Sequence, residues 1–407
     1  MSESKLIKLC KNNNITPKII RKLKDEIGMK DECGETALMN LCRNNSPITI
    51  ELIRELKNEI RMRDKYGKTA LMYLCDNNKS ITPELIRELK NEIGMRDKYG
   101  KTALMYLCGY NTSITPELIR ELKNEIKFED EKRRTALMWL CGNENITPEM
   151  IRELKDEIGM QDQCDETALI YLCEYNNKIN LELIKELKDE IGMLGFNKTT
   201  ALMYLCGYNP SITPELIREL KNEIGMKNNY GMTALTYLCD NKNINSELIR
   251  ELKEPSKEEA FKKGLTKGSS AKSSYKEPAE SKSSSQGDFS KVPRNKKLAK
   301  IKDEIIKQDK NGMTILMGLC VRCNNITPEL IREFKDSFGM RDKKGKTALM
   351  YLCEWNKNIT PKLIRELKNE IKMKDKDGKT AYNYYKNNNR YNYKIIRMLQ
   401  IKNFNKN

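Results

Sequence analysis

Hydrophobic residues recur with helical spacing in short blocks along most of the chain. Residues 69–75 read TALMYLC, and Leu71, Leu74 and Cys75 occupy the i, i+3 and i+4 positions of one helical face. The same pattern returns at residues 102–108, which read TALMYLC again. It predicts a short first helix of roughly seven residues.

A second block follows each first one and predicts an amphipathic helix. Residues 84–93 read ELIRELKNEI, and we expect their Glu, Arg and Lys side chains to face solvent. Thr82 and Pro83 predict the start of this helix, because threonine is a good N-cap and proline suits the first helical position. Gly94 suits a left-handed C-terminal stop. The predicted hydrophobic face consists of Leu85, Ile86, Leu89 and Ile93.

The two blocks form a repeat whose phase is marked by one threonine. Its positions are separated by steps of 33, except for one step of 32 and one of 81. Ser4 holds the same phase near the N-terminus, so we count about eleven units, the first and last being altered as terminal caps. The marker threonines are Thr36, Thr69, Thr102, Thr135, Thr167, Thr200, Thr233, Thr314, Thr347 and Thr380.

The connector and the first helix together resemble the ankyrin repeat, which opens D-x-x-G-x-T-P-L-H-x-A. Alanine replaces the proline, methionine replaces the histidine, and Leu-Cys replaces the small pair at the end of the first helix. The resemblance implies an all-α repeat solenoid of about eleven helix-loop-helix units with short connectors, and it leaves open whether the connectors form β-hairpins. Another α-solenoid of helical hairpins is the alternative. The matching residues include Asp64, Gly67, Thr69 and Leu71, then Asp97, Gly100, Thr102 and Leu104, and also Asp342, Gly345, Thr347 and Leu349.

One long insertion interrupts the repeats. Residues 254–302 contain ten serines, thirteen basic and six acidic residues, a composition that cannot bury a hydrophobic core. We therefore predict a repeat block at 1–253 with an N-terminal cap, a disordered basic linker at 254–302, and a second block at 303–407 with a C-terminal cap. The linker is either a tolerated insertion or a regulatory tether, and the array is either continuous across it or hinged there.

Ten of the thirteen cysteines, Cys10 among them, share one repeat phase. Free cysteine behaves as a small hydrophobic residue, and one thiol per unit does not assemble a metal site. We expect these cysteines to pack in the core with inert thiols. The predicted structural core contains Cys42, Cys75, Cys108, Cys141, Cys173, Cys206, Cys239, Cys320 and Cys353.

Composition excludes several kinds of chemistry. The chain has no histidine, which removes the usual general base and histidine-containing zinc sites. The Gly100-Lys101-Thr102 triplet lacks the glycine spacing of a phosphate-binding loop, so we expect its lysine to be a solvated turn residue. Cys320 and Cys323 form a C-x-x-C pair with no second pair beside it. We predict no catalytic residues, no cofactor and no metal.

Aromatic and arginine side chains at variable positions are the candidate partner-binding residues. In ankyrin repeats, as the resemblance implies, partners meet the surface formed by the connectors and first helices. Exposed Tyr, Trp and Arg dominate interface energetics. A tyrosine ladder inside the first helices, such as Tyr73 and Tyr106, is assigned to packing between units. The candidates are Tyr66, Tyr99, Tyr110, Arg133, Arg134, Tyr175, Phe196, Tyr208, Tyr230 and Trp355.

The favoured function is a non-enzymatic scaffold that binds other proteins, including acidic surfaces, as a monomer and without a small-molecule substrate. The alternative is an electrostatic binder of nucleic acid or anionic membrane, suggested by the net charge of +17. We rank it lower, because the sequence shows no basic stripe interleaved with aromatics. No signal peptide or membrane span is evident, so we expect the cytoplasm, with the nucleus as the other possibility.

Overall fold

Short paired helices recur along the chain, as the hydrophobic pattern predicts. The computed structural model describes residues 4–44, 48–253, 305–323, 325–388 and 392–400. Backbone contacts group the chain into two compact units, Met1–Ala201 and Leu202–Asn407. The insertion predicted at 254–302 lies outside the described residues, and the domain division predicted at 253 and 303 stays a prediction.

In unit 1, first helices pack on first helices and second helices on second helices, in series along the chain. The first helices are α1 (Lys5–Lys11), α3 (Ala37–Arg43), α5 (Ala70–Asn77), α7 (Ala103–Tyr110), α9 (Ala136–Cys141) and α11 (Ala168–Tyr175). The second helices are α2 (Pro17–Lys22), α4 (Ile50–Glu55), α6 (Pro83–Glu88), α8 (Pro116–Glu121), α10 (Pro148–Glu153) and α12 (Leu181–Glu186).

Unit 2 follows the same plan. Its first helices are α13 (Ala201–Tyr208), which begins at the boundary, α15 (Ala234–Leu238), α17 (Ile315–Arg322), α19 (Ala348–Trp355) and α21 (Ala381–Asn387). Its second helices are α14 (Pro214–Glu219), α16 (Ser246–Lys253), α18 (Pro328–Arg332), α20 (Pro361–Glu366) and α22 (Tyr393–Gln400). The described residues contain helices and turns without a strand, which confirms the predicted all-α solenoid.

Threonine caps start the helices where the sequence places them. The Thr82 side chain accepts a hydrogen bond from the Leu85 amide at 3.4 Å, and Thr102 caps α7 in the same way through Met105. Such a cap contributes about 1 kcal/mol.

The second helix is shorter than the ten residues that the pattern predicts. Most second helices have five or six residues, about one and a half turns, and a 3₁₀ turn that tightens the backbone follows them, whereas α16 and α22 have eight residues. This turn brings a glutamate out of register with the solvent-facing side chains. The 3₁₀ turns are Lys24–Glu26, Lys57–Glu59, Lys90–Glu92, Lys123–Glu125, Lys155–Glu157 and Lys188–Glu190 in unit 1, and Lys221–Glu223, Lys335–Ser337 and Lys368–Glu370 in unit 2. The connector turn Phe196–Lys198 is also 3₁₀.

The last glutamate of most of these turns is buried, although the sequence pattern assigns it to the solvent face. Glu125 is fully buried, and its carboxylate accepts a hydrogen bond from the Leu104 amide at the start of α7 and another from the Gly94 amide in the preceding repeat, each 2.7 Å long. Glu59, Glu92, Glu157 and Glu190 make the same pair of bonds. One carboxylate therefore joins both helices of a repeat to the repeat before it.

Two opposing effects act on the charge of this carboxylate. Burial raises the pKa of Glu125, while the amides of Gly94 and Leu104 and the hydroxyl of Thr102 lower it. The amides are orphan donors at a helix start and a turn, so the carboxylate satisfies groups that would otherwise lack acceptors. In unit 2 the repeat containing Ser337 departs from this rule, and the Ser337 hydroxyl donates to the Phe334 carbonyl instead.

In several repeats a buried asparagine donates hydrogen bonds to backbone carbonyls of the preceding repeat, including that of its core cysteine. The Asn111 amide nitrogen donates to the Cys75 carbonyl at 3.1 Å and to the Asn78 carbonyl at 3.2 Å. Asn143 repeats this with Cys108 and Asn111. The loop between the two helices of a repeat therefore contains a buried asparagine that satisfies carbonyls at the end of the neighbouring first helix.

The connectors are tight turns joined by single backbone hydrogen bonds rather than β-hairpin strands. The Asp97 carboxylate accepts from the Tyr99 and Lys101 amides, which holds the turn. The Lys98 amide donates to the Tyr66 carbonyl of the preceding connector at 2.9 Å. Gly67 has a φ of 79°, and a Cβ on it would lie 3.0 Å from the Lys98 nitrogen. Both the left-handed backbone and the close approach require glycine here.

Arginine–glutamate pairs connect successive second helices. In unit 1, Arg54 pairs with Glu88 and Arg152 with Glu186, at 2.6 and 2.7 Å. These pairs explain why the second helices are near copies of one another. Each exposed pair contributes only about 0.2–1 kcal/mol.

The same pairing in unit 2 spans the position of the insertion. Arg250 of α16 donates to a Glu333 carboxylate oxygen of the next repeat at 2.8 Å, as Arg218 does to Glu251 one repeat earlier. Ile305 is buried where the described residues resume. Within unit 2 the stack of second helices therefore continues past the insertion.

We predict that Glu125→Ala lowers the free energy of unfolding by about 2–5 kcal/mol, because it leaves two buried amides without an acceptor. Glu125→Gln keeps one acceptor and should cost less. Chemical denaturation of the full chain measures both. The exposed connector residue Glu131, changed to alanine, is the control and should alter stability by no more than about 0.5 kcal/mol. Equal effects of Glu125→Ala and Glu131→Ala would contradict the role of the buried carboxylate.

We also predict that Cys108→Ser lowers stability by about 1–3 kcal/mol, because a hydroxyl in this fully buried position is poorly satisfied. Cys75→Ser should behave alike. Cys108→Ala, which removes the sulfur without adding a polar group, is the comparison in thermal melts. A serine variant that melts like the parent would show that the position tolerates polarity.

Candidate functional site

The surface formed by the connectors and the first helices carries most of the variable aromatic residues. We call it the first-helix face. In unit 1 it is built around Tyr73 and Tyr106, which are 6% exposed and occupy one phase of α5 and α7. The Tyr106 hydroxyl donates to an Asp97 carboxylate oxygen at 2.7 Å, and Tyr73 does the same to Asp64. Each ring therefore anchors the first helix to the connector of its own repeat.

Basic residues lie between successive rings of this ladder. The Lys68 ammonium lies 4.9 Å from the Tyr73 ring centre and 4.0 Å from that of Tyr106 in the next repeat, and 2.9 Å from an Asp76 carboxylate oxygen. Lys101 lies 4.0 Å from the Trp139 ring centre. Lys68, at the repeat position equivalent to Lys101, has only 16% of its side chain exposed, because the rings and the carboxylate cover it.

A row of alternating cations and rings thus exists in unit 1, where the sequence shows no such stripe. It continues through Arg134, whose guanidinium lies 4.0 Å from the Trp139 ring centre and 2.8 Å from an Asp130 carboxylate oxygen. Arg43 at the other end lies over Tyr73 and pairs with Glu35. Most of these cations have acidic partners, so the row is not a net positive surface.

The sequence-predicted partner residues fall into two groups. Arg134 is largely covered by the contacts just described, while Arg133 points outward with 59% of its side chain exposed. The aromatic candidates are all between 40 and 70% exposed. They are Tyr66, Tyr99, Tyr110, Tyr175 and Phe196 in unit 1, and Tyr208, Tyr230 and Trp355 in unit 2.

The structure brings several of these rings together within unit 1. Tyr110 lies between Tyr106 and Trp139, with ring centres 5.9 and 5.5 Å apart. Its hydroxyl accepts a hydrogen bond from the Lys101 ammonium at 2.9 Å. Gly109 permits this packing, because a Cβ there would come within 3.0 Å of the Trp139 ring. The two residues after the core cysteine therefore act together: Gly109 leaves room for the Trp139 ring, and Tyr110 packs against it.

The next repeat lacks the residue equivalent to Tyr110. Helix α9 ends at Cys141, and Gly142 leads directly to Asn143, the equivalent of Asn111. The row of rings stops at Trp139 and resumes with Tyr171 and Tyr175, which are 5.7 Å apart. The single 32-residue step in the sequence, from Thr135 to Thr167, reflects this missing residue. Only the packing of the rings shows that the missing residue corresponds to Tyr110.

A cleft of about 440 Å³ lies at this gap in unit 1. Its walls include Trp139, Gly142, Tyr171 and Tyr175. The Trp139 Nε1–H is buried and has no hydrogen-bond partner among the residues that the structure describes. The cleft and Trp139 are absent from the sequence-based site prediction.

Unit 2 contains a second shortened repeat with a cleft beside it. Cys239-Asp240-Asn241 omits the same residue, and a cleft of about 360 Å³ adjoins Cys239 and Asp240. There the Arg322 guanidinium reaches an Asp240 carboxylate oxygen at 2.5 Å. In unit 2 an ion pair therefore lies beside the shortened repeat, whereas aromatic side chains line the equivalent cleft in unit 1.

The core cysteines offer little reactivity to a site. Burial raises the pKa of the Cys108 thiol far above its usual range, and the carboxylates of Glu157 and Glu125 act in the same direction. All nine cysteines of the predicted core are buried, whereas Cys33 is exposed and Cys164 and Cys323 are partly exposed. Within the described ranges there is no cluster of three or more residues able to hold a metal ion.

Among the residues described, no helix has the length and apolar character needed to cross a bilayer.

We predict that one carboxyl in unit 1 makes stability depend on pH near neutrality. Burial, with a smaller contribution from Glu166, raises the pKa of Glu174 from its ordinary value of 4.5 to about 7. The folded state then binds more protons between these values, so the free energy of unfolding falls as the pH rises through that window. Glu174→Gln removes the fall and should stabilise the chain by about 1 kcal/mol at about pH 8, since partial exposure screens the effect.

Denaturation midpoints of parent and Glu174→Gln chains across this range test the sign. Glu131→Gln changes the net charge equally at an exposed connector position and should run parallel to the parent. Parallel curves for Glu174→Gln would contradict the prediction.

Comparison with known proteins supplies the family. The family model described as ankyrin repeats (3 copies) matches residues 6–91. A comparison with curated proteins found no match. A solved complex of a predatory endopeptidase from Bdellovibrio bacteriovorus with an immunity protein contains a similar chain, 20% identical, at a TM-score of 0.36, over 47% of this chain and 100% of that one. A similarity at that TM-score carries no argument about function. The family match confirms, over residues 6–91, the resemblance to ankyrin repeats that the repeat pattern indicates.

Proposed function

We propose that this protein binds another protein through the first-helix face, with the exposed aromatic residues as the main contacts. The supporting observation is the asymmetry between its two surfaces. The second helices present arginine–glutamate pairs that already satisfy one another, whereas the first-helix face presents Tyr66, Tyr99, Tyr110 and Tyr175 at 40 to 52% exposure. Ankyrin repeats are generally protein-interaction modules, which agrees with this assignment.

The kind of exposed residue supports a protein partner. Tyrosine and tryptophan combine a large apolar area with a hydrogen-bonding group and are enriched where interfaces are strongest. Tyr66 and Tyr99 lie on adjacent connectors, and the Lys98 ammonium lies 4.0 and 4.9 Å from their ring centres. This cluster presents both apolar and positively charged groups, so acidic surfaces with exposed hydrophobic residues are suitable partners.

Nucleic acid or anionic membrane remains the alternative that the net charge suggests. Single-stranded nucleic acid binds to rings interleaved with cations, an arrangement present on this face. However, Lys68, Arg134 and Arg43 each have an acidic partner within unit 1. Binding phosphates would require separating those pairs, and this favours a protein partner. We propose no catalytic activity and no cofactor.

The partner can be identified by crosslinking and mass spectrometry, using the full chain and a chain without residues 254–302. Binding to the identified partner is then measured for the triple variant Tyr66→Ser, Tyr99→Ser, Tyr110→Ser. We expect affinity to fall at least tenfold, since truncating aromatic contacts at the centre of an interface typically costs about 1–2 kcal/mol or more each.

The matched control changes three exposed lysines beside the second helices, Lys57, Lys90 and Lys123, to serine. It should bind like the parent, and thermal melts should show that both triple variants remain folded. If the control loses binding and the tyrosine variant retains it, the proposed face is wrong. Binding of labelled nucleic acid that weakens steeply as salt is raised would favour the alternative.

A further inference from the structure

The cleft between α9 and α11 of unit 1 has a defined cause. Helix α9 ends two residues earlier than α7, and the tyrosine that follows Gly109 in α7 has no counterpart after Gly142. Asn143 makes the hydrogen bonds that Asn111 makes one repeat earlier, so the backbone regains register at once. The shortening thus removes one side chain from the surface without disturbing the stack.

The preceding repeat shows what the missing side chain would do. Tyr110 places its ring 5.9 Å from Tyr106 of its own helix and 5.5 Å from Trp139 of the next. Its hydroxyl meets the Lys101 ammonium at 2.9 Å. Each of these three neighbours has an equivalent at the gap, namely Trp139, Tyr171 and Arg134, in the same repeat phases.

We propose that this cleft receives a tyrosine side chain presented by a loop of the protein partner. The incoming ring would lie between Trp139 and Tyr171, and its hydroxyl would meet the Arg134 guanidinium, as Tyr110 meets Lys101. Tyrosine is favoured over an aliphatic residue because two walls are aromatic and a cation stands where the hydroxyl ends.

The inference rests on the proposed protein-binding function but names one pocket and one side chain. Charge supports the choice of a neutral, hydrogen-bonding ring. Among the residues lining the cleft, Lys132 and Arg134 are basic and Asp162 and Glu166 are acidic, so neither a bare carboxylate nor an ammonium gains a net attraction.

The probe is N-acetyl-tyrosinamide, with N-acetyl-phenylalaninamide for comparison. Trp355→Phe removes the only other tryptophan, so that Trp139 alone reports by fluorescence. We expect N-acetyl-tyrosinamide to change the Trp139 emission with a dissociation constant on the order of millimolar, and the phenylalanine probe to bind several-fold more weakly.

The decisive variant inserts one tyrosine between Gly142 and Asn143, which copies the Gly109-Tyr110-Asn111 segment and fills the cleft from within. This insertion should abolish the fluorescence response to the probe, and the variant's melting temperature should be no lower than that of its parent. Insertion of serine at the same point matches the length but leaves the ring site open, and should retain a measurable response. Saturable binding that the tyrosine insertion removes and the serine insertion keeps supports the proposal.

Three outcomes would overturn it: no saturable response in the parent, an undiminished response in the tyrosine insertion, or equal binding of the two probes. The proposed function is tested separately with the identified partner. A partner whose affinity falls in the Tyr66, Tyr99, Tyr110 variant but not in the tyrosine insertion would leave the first-helix face as the binding surface and remove only this pocket.

Discussion

A buried glutamate carboxylate at the end of the second helix is the contact on which the repeat depends. The two carboxylate oxygens of Glu125 each accept a hydrogen bond, one from the Leu104 amide at the start of the first helix and one from the Gly94 amide of the preceding repeat. Helices of five to eight residues are marginal alone, and their exposed amides must be satisfied by neighbours. One glutamate side chain accepts these hydrogen bonds both within a repeat and between adjacent repeats. Burial opposes its charge, and the donated hydrogen bonds offset the cost.

The same logic of shared hydrogen bonds extends over the rest of each unit. Asparagine 111 completes the helix end at Cys75, and backbone bonds such as Lys98 to Tyr66 join the connectors. These hydrogen bonds hold adjacent repeats together, and they recur from repeat to repeat with little variation. Variation is left to the first-helix face, where a ring, a cation or a gap can follow the core cysteine without changing the stack. A binding surface can therefore differ from repeat to repeat on a constant frame.

Individual residues show how far sequence reasoning reaches. The Thr82 cap, the left-handed Gly94 and the burial of Cys75 agree with the expectations from residue type and phase. Glu92 does not, since a charged residue in an amphipathic pattern is normally assigned to solvent, and the connector residue Lys68 is covered as well. Each is covered by partners from another repeat, and no pattern within one repeat reveals such partners.

The sequence by itself determined the repeat, its helical pairs, the caps that start them and the resemblance to ankyrin repeats, because these follow from local spacing and from backbone preferences of single residues. Only the tertiary structure decided which charges are buried, where Tyr110 packs, and that the missing residue after Gly142 leaves a cleft. These features arise where adjacent repeats meet. Contacts between residues about thirty positions apart depend on the three-dimensional rise of the stack, which hydrophobic periodicity does not encode.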